Sequence, residues 1–397
     1  MPFSTSTRAV IASLLLSSAL GACAALPKTP PAQTLKTPAA YASEKSLAAS
    51  PTADWPGDQW WTAYGDAQLN ALLDEALADA PDLAEARARL AKAQAATAQA
   101  RSATLPSVTA NGSYASVRQS YNNGIPAAFV PKGYNDSGRA TLDFAWELDF
   151  FGKNRAALAA ATSDAEAAKA DAAEARLVLS TNIAAAYADL AQLFADRDAS
   201  QDAARIRQQS VALTAERAAN GLENQGAVEQ AKSRLATALA DLAATDEQIG
   251  LTRNKLAALL GAGPDRGLAI ARPATGPIQA FGLPANVGAD LIGRRPDVVA
   301  ARLRAEAASQ RIKQAKAKFY PNVNLSAYFG QQALGLDLLN NATSRIGSIG
   351  PAVSLPIFEG GALRANYRSA AADYDLAVAS YNGTLAQALQ DVADAAV

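Results

Sequence analysis

Pro81-Asp82-Leu83-Ala84-Glu85-Ala86-Arg87-Ala88-Arg89-Leu90 and Pro296-Asp297-Val298-Val299-Ala300-Ala301-Arg302-Leu303-Arg304-Ala305 are two copies of one helix start, and their recurrence decides the fold. The first run ends at Leu105-Pro106 and the second at Tyr320-Pro321, so both Pro-to-Pro spacings are 25 residues and the offset is 215. At that offset Ala86, Arg87, Arg89, Ala93, Ala100 and Val108 are identical to Ala301, Arg302, Arg304, Ala308, Ala315 and Val323. Each helical run leads into a strand-like alternating segment. A repeat this long is no solenoid unit; it predicts one domain made of two similar helix-then-strand halves.

Composition narrows the chemistry. The 397 residues carry 36 Lys and Arg against 37 Asp and Glu, so no net field draws nucleic acid. There is no histidine, which removes His-based acid/base catalysis, His triads and His metal sites. Alanine dominates the apolar content, which suits long, closely packed helices. Gly261-Ala262-Gly263 lies before a proline and follows no strand, so it does not read as a phosphate loop.

Arg8 precedes an apolar stretch, Ala9 to Leu20, that has the length of a signal-peptide core and is too short to span a bilayer. Cys23, the sole cysteine, follows Leu20-Gly21-Ala22 as in a bacterial lipobox. The expectation is a signal peptide over 1–22, a lipid anchor such as palmitate on Cys23, and a Pro/Ala/Ser/Thr-rich tether over 23–58. The alternative is an ordinary signal with an incidental cysteine.

A first repeat is expected over 59–260. Leu69, Leu72, Leu73, Ala76 and Leu77 fall at helical spacing behind Trp60-Trp61. From Lys153 to Asn220 there is neither Gly nor Pro, and Leu179, Ile183, Tyr187, Leu190 and Phe194 form one stripe. Continuous helix there would be about 100 Å long at about 1.5 Å per residue. A break near 217–226 and a further helical run from Ala227 to Leu260 predict a helical hairpin. Residues 261–284, with five Gly and four Pro, read as a linker, and 285–397 as the second repeat.

Strands are expected at about 106–118, 138–150, 321–330 and 346–358. Val108, Tyr114, Leu142, Phe144, Trp146, Leu148, Val323, Leu325, Phe329, Val353, Leu355 and Ile357 would share an apolar, lipid-contacting face. Asn111, Asp143, Glu147, Asn324, Ser326 and Ser354 would line the other, watery face. Each segment approaches the ~9–11 residues of a transmembrane strand. Four strands cannot enclose a lumen, so several chains must close one barrel. A soluble sheet is the alternative, but no bulky apolar surface remains to cover it. Asp143 and Glu147 could also be an acid/base pair, although nothing supplies a partner. No enzyme, cofactor or metal is expected.

Several motifs resemble the outer-membrane efflux proteins, the TolC-like outer membrane factors. They are Trp60-Trp61 with Tyr64-Gly65-Asp66, Asp149-Phe150-Phe151-Gly152-Lys153, Ile292-Gly293-Arg294-Arg295-Pro296-Asp297, Lys318-Phe319-Tyr320-Pro321 and Leu355-Pro356-Ile357-Phe358-Glu359-Gly360-Gly361. The branch most similar is the NodT-type efflux lipoproteins of resistance–nodulation–division pumps. The resemblance covers about residue 55 to the end. It implies an α+β membrane protein: a homotrimer with four strands per chain in a twelve-stranded barrel and a coiled-coil periplasmic tunnel. It also implies a periplasmic adaptor and an inner-membrane pump as partners, and a passive exit duct for drugs or other small solutes. Arg217 and Gly221 match an Arg-x-x-x-Gly tip that adaptors contact in relatives; as plain chemistry they are also a cation and a glycine at a helix C-terminus. The Thr-Asp of one interprotomer latch is replaced here by Gly226-Ala227.

Type I secretion and metal-ion efflux are alternative duct functions. A structural periplasmic lipoprotein, or a non-functional fragment, is the alternative of another class. Aligning Phe150–Arg155 with Phe358–Arg364 gives an offset of 209, which leaves residues 189–260 without a second-half counterpart. The expectation is a reading frame that continues for roughly 60–80 residues through a second tip, by analogy with the first hairpin.

Overall fold

A computed structural model describes Pro27 and residues 32–42, 46–47, 55–274 and 287–395. Cys23 and the signal segment 1–22 lie outside these residues. The helices are α1 (Ala67–Asp79), α2 (Pro81–Ser102), α3 (Lys153–Ala219), α4 (Gln225–Leu259), α5 (Pro264–Leu268), α6 (Val287–Arg294), α7 (Pro296–Ala317) and α8 (Ala362–Ala395). The strands are β1 (Ser107–Val117), β2 (Asn135–Leu148), β3 (Asn322–Leu334) and β4 (Arg345–Ser354).

The duplication is physical. α2 and α7 are each 22 residues long and begin on proline, whose fixed φ and missing N–H suit the first helical position. β1 and β3 begin at the same offset of 215 as the two prolines. Burial differs between the copies. α7 buries Val298, Ala300, Ala301, Ala305, Ala307, Ala308, Ala315 and Ala317, whereas α2 buries only Leu83. The remaining inward positions of α2, half-buried Ala86, Leu90, Ala93, Thr97 and Ala100, follow a 3-4 spacing.

The chain divides into two compact units. One takes residues 91–167 and 298–386 with the N-terminal 36, and contains all four strands. They form one antiparallel sheet in the order β1-β2-β3-β4. Phe151 stacks on Tyr320, with ring centroids 4.8 Å apart, where β2 gives way to α3 and α7 gives way to β3. The tether expectation changes here: backbone N–H groups of Gln33 and Lys36 donate to Asp375 and Asn382 of α8, both at 2.8 Å. Residues 32–37 are thus laid along α8 rather than left unattached.

The other unit takes residues 37–90, 168–297 and 387–397. Its core is built by Trp61, Leu69, Leu72, Leu73 and Ala76 with Leu179, Ile183, Tyr187 and Leu190 of α3 and Ile249 and Leu256 of α4. Phe194, the last residue of the stripe, packs at the margin beneath the guanidinium groups of Arg253 and Arg272. By length and composition alone a window of α3 is apolar enough to cross a membrane. Within it Leu179, Ile183, Tyr187 and Leu190 are buried in this helical core, whereas Leu177 and Val178 are exposed. Asp66 caps α1, accepting from the N–H groups of Gln68 and Leu69 at 2.8 and 3.1 Å. It also accepts from the Tyr187 hydroxyl at 2.8 Å and the Ala274 N–H at 3.1 Å. Burial opposes the Asp66 charge, but these donors hold its carboxyl below the usual range. Burial and the neighbouring carboxylate push the Tyr187 hydroxyl up.

Three boundaries are corrected. Ordered packing begins before Asp58, because Trp55 Nε1 donates to Asp290 at 3.2 Å and Arg294 lies over its ring. The linker 261–284 contains a helical turn, α5, held by Arg266 pairing with Glu75 at 2.8 Å. Gly267 permits that turn, since a Cβ there would lie 2.7 Å from the Arg253 carbonyl oxygen. Finally, β4 ends at Ser354, so Leu355 and Ile357 are not strand residues. Pro356 has no N–H to extend the ladder. In exchange, β2 begins at Asn135 and β3 continues to Leu334, because the two pair as far as Ser137 with Leu334.

Candidate functional site

Two features carry the sites expected from sequence: the faces of the sheet and the turn between α3 and α4. The register sorts the faces, because directly paired residues of an antiparallel sheet share one. Val108 pairs with Phe144, Phe144 with Ala327, and Ala327 with Ile349. Leu142 pairs with Phe329, Trp146 with Leu325, and Leu148 with Val323, which pairs with Val353. Tyr114 opposes Gly138 on the same side. Ten of the twelve residues expected on the apolar face therefore share one face, and Leu355 and Ile357 fall beyond it. These side chains are largely exposed: Val108 at 66%, Leu142 at 56%, Phe329 at 64%, Ile349 at 78% and Val353 at 67%. A continuous, uncovered apolar surface of this kind is what a soluble sheet avoids.

The opposite face brings together Asn111, Asp143, Glu147, Asn324, Ser326 and Ser354. Asp143 accepts from Asn111 Nδ2 at 2.9 Å and from Thr141 Oγ1 at 2.7 Å. Glu147 pairs with Lys153 at 2.7 Å. The two acids are four residues apart, about 13 Å along an extended strand, so they do not converge on one reacting atom. Arg139 also belongs to this face, donating to Gln332 at 3.1 Å and lying over Tyr328. Sequence reading missed it, although its odd position in β2, shared with Asp143 and Glu147, was the available signal. Gly330 lets the strands approach: a Cβ there would lie 2.0 Å from the Ala140 carbonyl oxygen. Among the described residues, no group of three or more acidic or sulfur side chains is placed to hold a metal ion.

The turn after α3 is a glycine-capped helix end. Gly221 has φ 72°, the left-handed region that glycine enters without strain. Its N–H donates to Ala218 O at 3.1 Å, and the Leu222 N–H donates to Arg217 O at 2.8 Å. This paired pattern is a Schellman motif. Asn224 then caps α4, accepting from the Ala227 N–H at 2.9 Å. Gly226 and Ala227 lie in the first turn of α4. Arg217 stands exposed at the tip, beside exposed Leu213 and Leu222.

The family profile described as Outer membrane efflux protein matches residues 72–262 and 287–397. The chain belongs to the outer membrane efflux protein family. It is 38% identical over 367 residues to the fusaric acid resistance protein FusA of Burkholderia cepacia, covering 91% of this chain and 68% of that protein. It is 32% identical to the multidrug resistance outer membrane protein MdtP of Shigella flexneri, covering 85% and 71%. Its fold matches the outer membrane protein VceC of Vibrio cholerae with a TM-score of 0.80 and 46% identity, over 86% of this chain and 80% of VceC. This efflux protein is an outer-membrane channel component of efflux pumps, an α+β channel with long helices and a small antiparallel sheet. Channels of this family are not enzymes; in general they are homotrimers that work with adaptors and inner-membrane pumps, with helical bodies in the periplasm.

Proposed function

We propose that three copies of this chain close a twelve-stranded barrel, with the Val108/Leu142/Phe329/Val353 face on lipid and the Asn111/Asp143/Glu147/Asn324 face on a water-filled lumen. The observation that carries this reading is the split of the sheet into one apolar and one polar face together with its two open edges. β1 and β4 are each paired on one side only, and unpaired backbone groups in hydrocarbon cost several kcal/mol apiece. Further chains relieve that cost by edge-to-edge pairing. The weak burial of α2 outside its inward 3-4 stripe fits a helix whose outer face packs against a neighbouring chain in a coiled-coil tunnel.

Cys23 carries the lipid anchor in the inner leaflet, and residues 32–37 guide the chain from it along α8. The exposed Arg217, Leu213 and Leu222 at the α3–α4 turn receive a periplasmic adaptor, held in place by the Gly221 cap. The names of FusA and MdtP favour small organic solutes, fusaric acid and drugs among them, as cargo. The long helices act as struts, so opening comes from sliding or untwisting near the tips rather than local melting. Single-channel recording of the full-length trimer in planar bilayers tests the duct: discrete conductance steps are expected. A folded, membrane-inserted protein that passes no current would overturn it.

A further inference from the structure

The apolar face is charged at one end only. Across the register-matched positions of all four strands on that face, the charged residues are Asp136 and Arg345, both at the end where the β1–β2 and β3–β4 loops emerge. Arg118, one residue beyond β1, continues the alternation of Tyr114 and Ser116 and is exposed. Arg345 is exposed as well, and neither guanidinium has an ion-pair or hydrogen-bond partner among the described residues. Asp136 differs, since it accepts from the Tyr114 hydroxyl at 3.0 Å. Lys132 and Asp337 are the other charges in the loops nearby.

Height places these arginines. From Val108 to Arg118 is about 34 Å of extended chain. A strand tilt near 40° reduces this to about 26 Å along the membrane normal, close to the ~25 Å apolar band of outer-membrane barrels. For Val353 to Arg345 the same estimate is about 21 Å. The strands' other ends lead into the helices, which in this family lie in the periplasm. The two arginines therefore stand at the outer leaflet's headgroup level, on the side proposed to meet lipid. The outer leaflet is built of glycolipid bearing phosphate esters, and a guanidinium binds phosphate through paired N–H donors.

We propose that Arg118 and Arg345, on the two edge strands, form a cationic rim that binds the phosphates of the outer leaflet's phosphorylated glycolipid. The inference rests on the lipid-facing assignment made above. Edge-to-edge closure between copies would set Arg118 of β1 near the neighbouring copy's β4 edge, so that each seam offers two guanidinium groups to one headgroup.

The test uses the full-length trimer reconstituted with lipid A or with phosphatidylglycerol, and native mass spectrometry to count retained lipid. Arg118→Ser with Arg345→Ser should cut retained lipid A by about fivefold per arginine removed, leaving trimers and conductance unchanged. Arg118→Lys with Arg345→Lys should retain most of it. Unchanged lipid A retention in the serine variant overturns the rim. Equal retention and equal loss of phosphatidylglycerol overturns the assignment to glycolipid. A nitroxide at position 142 separates the premises: a label reached by water-soluble relaxants but not by oxygen would show that the face assignment failed, whatever the arginines do.

Discussion

Replacing Asp66 should loosen the helical core. Its carboxylate accepts four hydrogen bonds and joins the start of α1, the Tyr187 hydroxyl of α3 and the backbone at Ala274. Asp66→Ala removes an N-cap, worth about 1 kcal/mol. It also removes charge-assisted bonds worth about 1.5–3 kcal/mol and takes away the acceptor of the Tyr187 hydroxyl, which is left accepting only from Gln68 Nε2 in a site that is 2% exposed. A loss of about 3–4 kcal/mol is expected. Tyr187→Phe should cost about 1.5–2 kcal/mol, because the carboxylate keeps its backbone donors. The double variant should cost less than the sum, with a coupling of about 1–2 kcal/mol. Trp61 sits in the same core, so tryptophan fluorescence during urea unfolding in detergent is a local readout. The folded-state pKa of Asp66 is lowered, so its contribution is complete above the ordinary carboxylate value near ~4 and disappears as pH falls through the folded value. The gap between wild type and Asp66→Ala should be constant around neutrality and shrink in acid. Additive costs, or a gap that widens in acid, would show that Asp66 does not couple α1 to Tyr187.

Gly330→Val should prevent correct β2–β3 pairing, because the new side chain would occupy the Ala140 carbonyl; loss of heat-resistant trimers on semi-native gels checks this. Burial first, and then Asp297, push the Glu174 carboxyl up, and one of its oxygens is buried without a partner. Glu174→Gln should therefore stabilise the protein by about 0.5–1 kcal/mol at neutral pH. That advantage should vanish below the ordinary carboxylate value, where the wild-type group is protonated in both states; unfolding at two pH values reads it. Asp143→Asn removes a fixed charge from the polar face, so the reversal potential under a KCl gradient should shift toward weaker cation selectivity.

Much of this fold is written locally. The proline-started helices, the Gly/Pro-free run and the alternation of 142 to 148 are short-range patterns, and they recur as α2, α7, α3 and β2. What sequence reading missed depends on contacts distant in the chain. α5 forms in a Gly/Pro-rich segment because Arg266 finds Glu75 and Gly267 fits against Arg253. The segment 32–37 has no period of its own and takes its course from Asp375 and Asn382, more than three hundred residues away. Lys153 could be read as a helix start but not as the partner of Glu147. Leu355 and Ile357 kept the alternation on paper, but Pro356 between them stops the ladder. The unequal burial of α2 and α7, near copies in sequence, is likewise a property of packing.

The proposed barrel requires that the two faces of the sheet meet different solvents. Single cysteines placed at 142 to 146 of β2, each compared with the unsubstituted protein to correct for labelling at Cys23, test it residue by residue. A membrane-impermeant thiol reagent should modify positions 143 and 145 and reduce conductance. Labels at 142, 144 and 146 should be quenched by brominated lipid instead. The reverse alternation, or labelling with no period of two, would rule out a lipid-facing apolar side on this sheet.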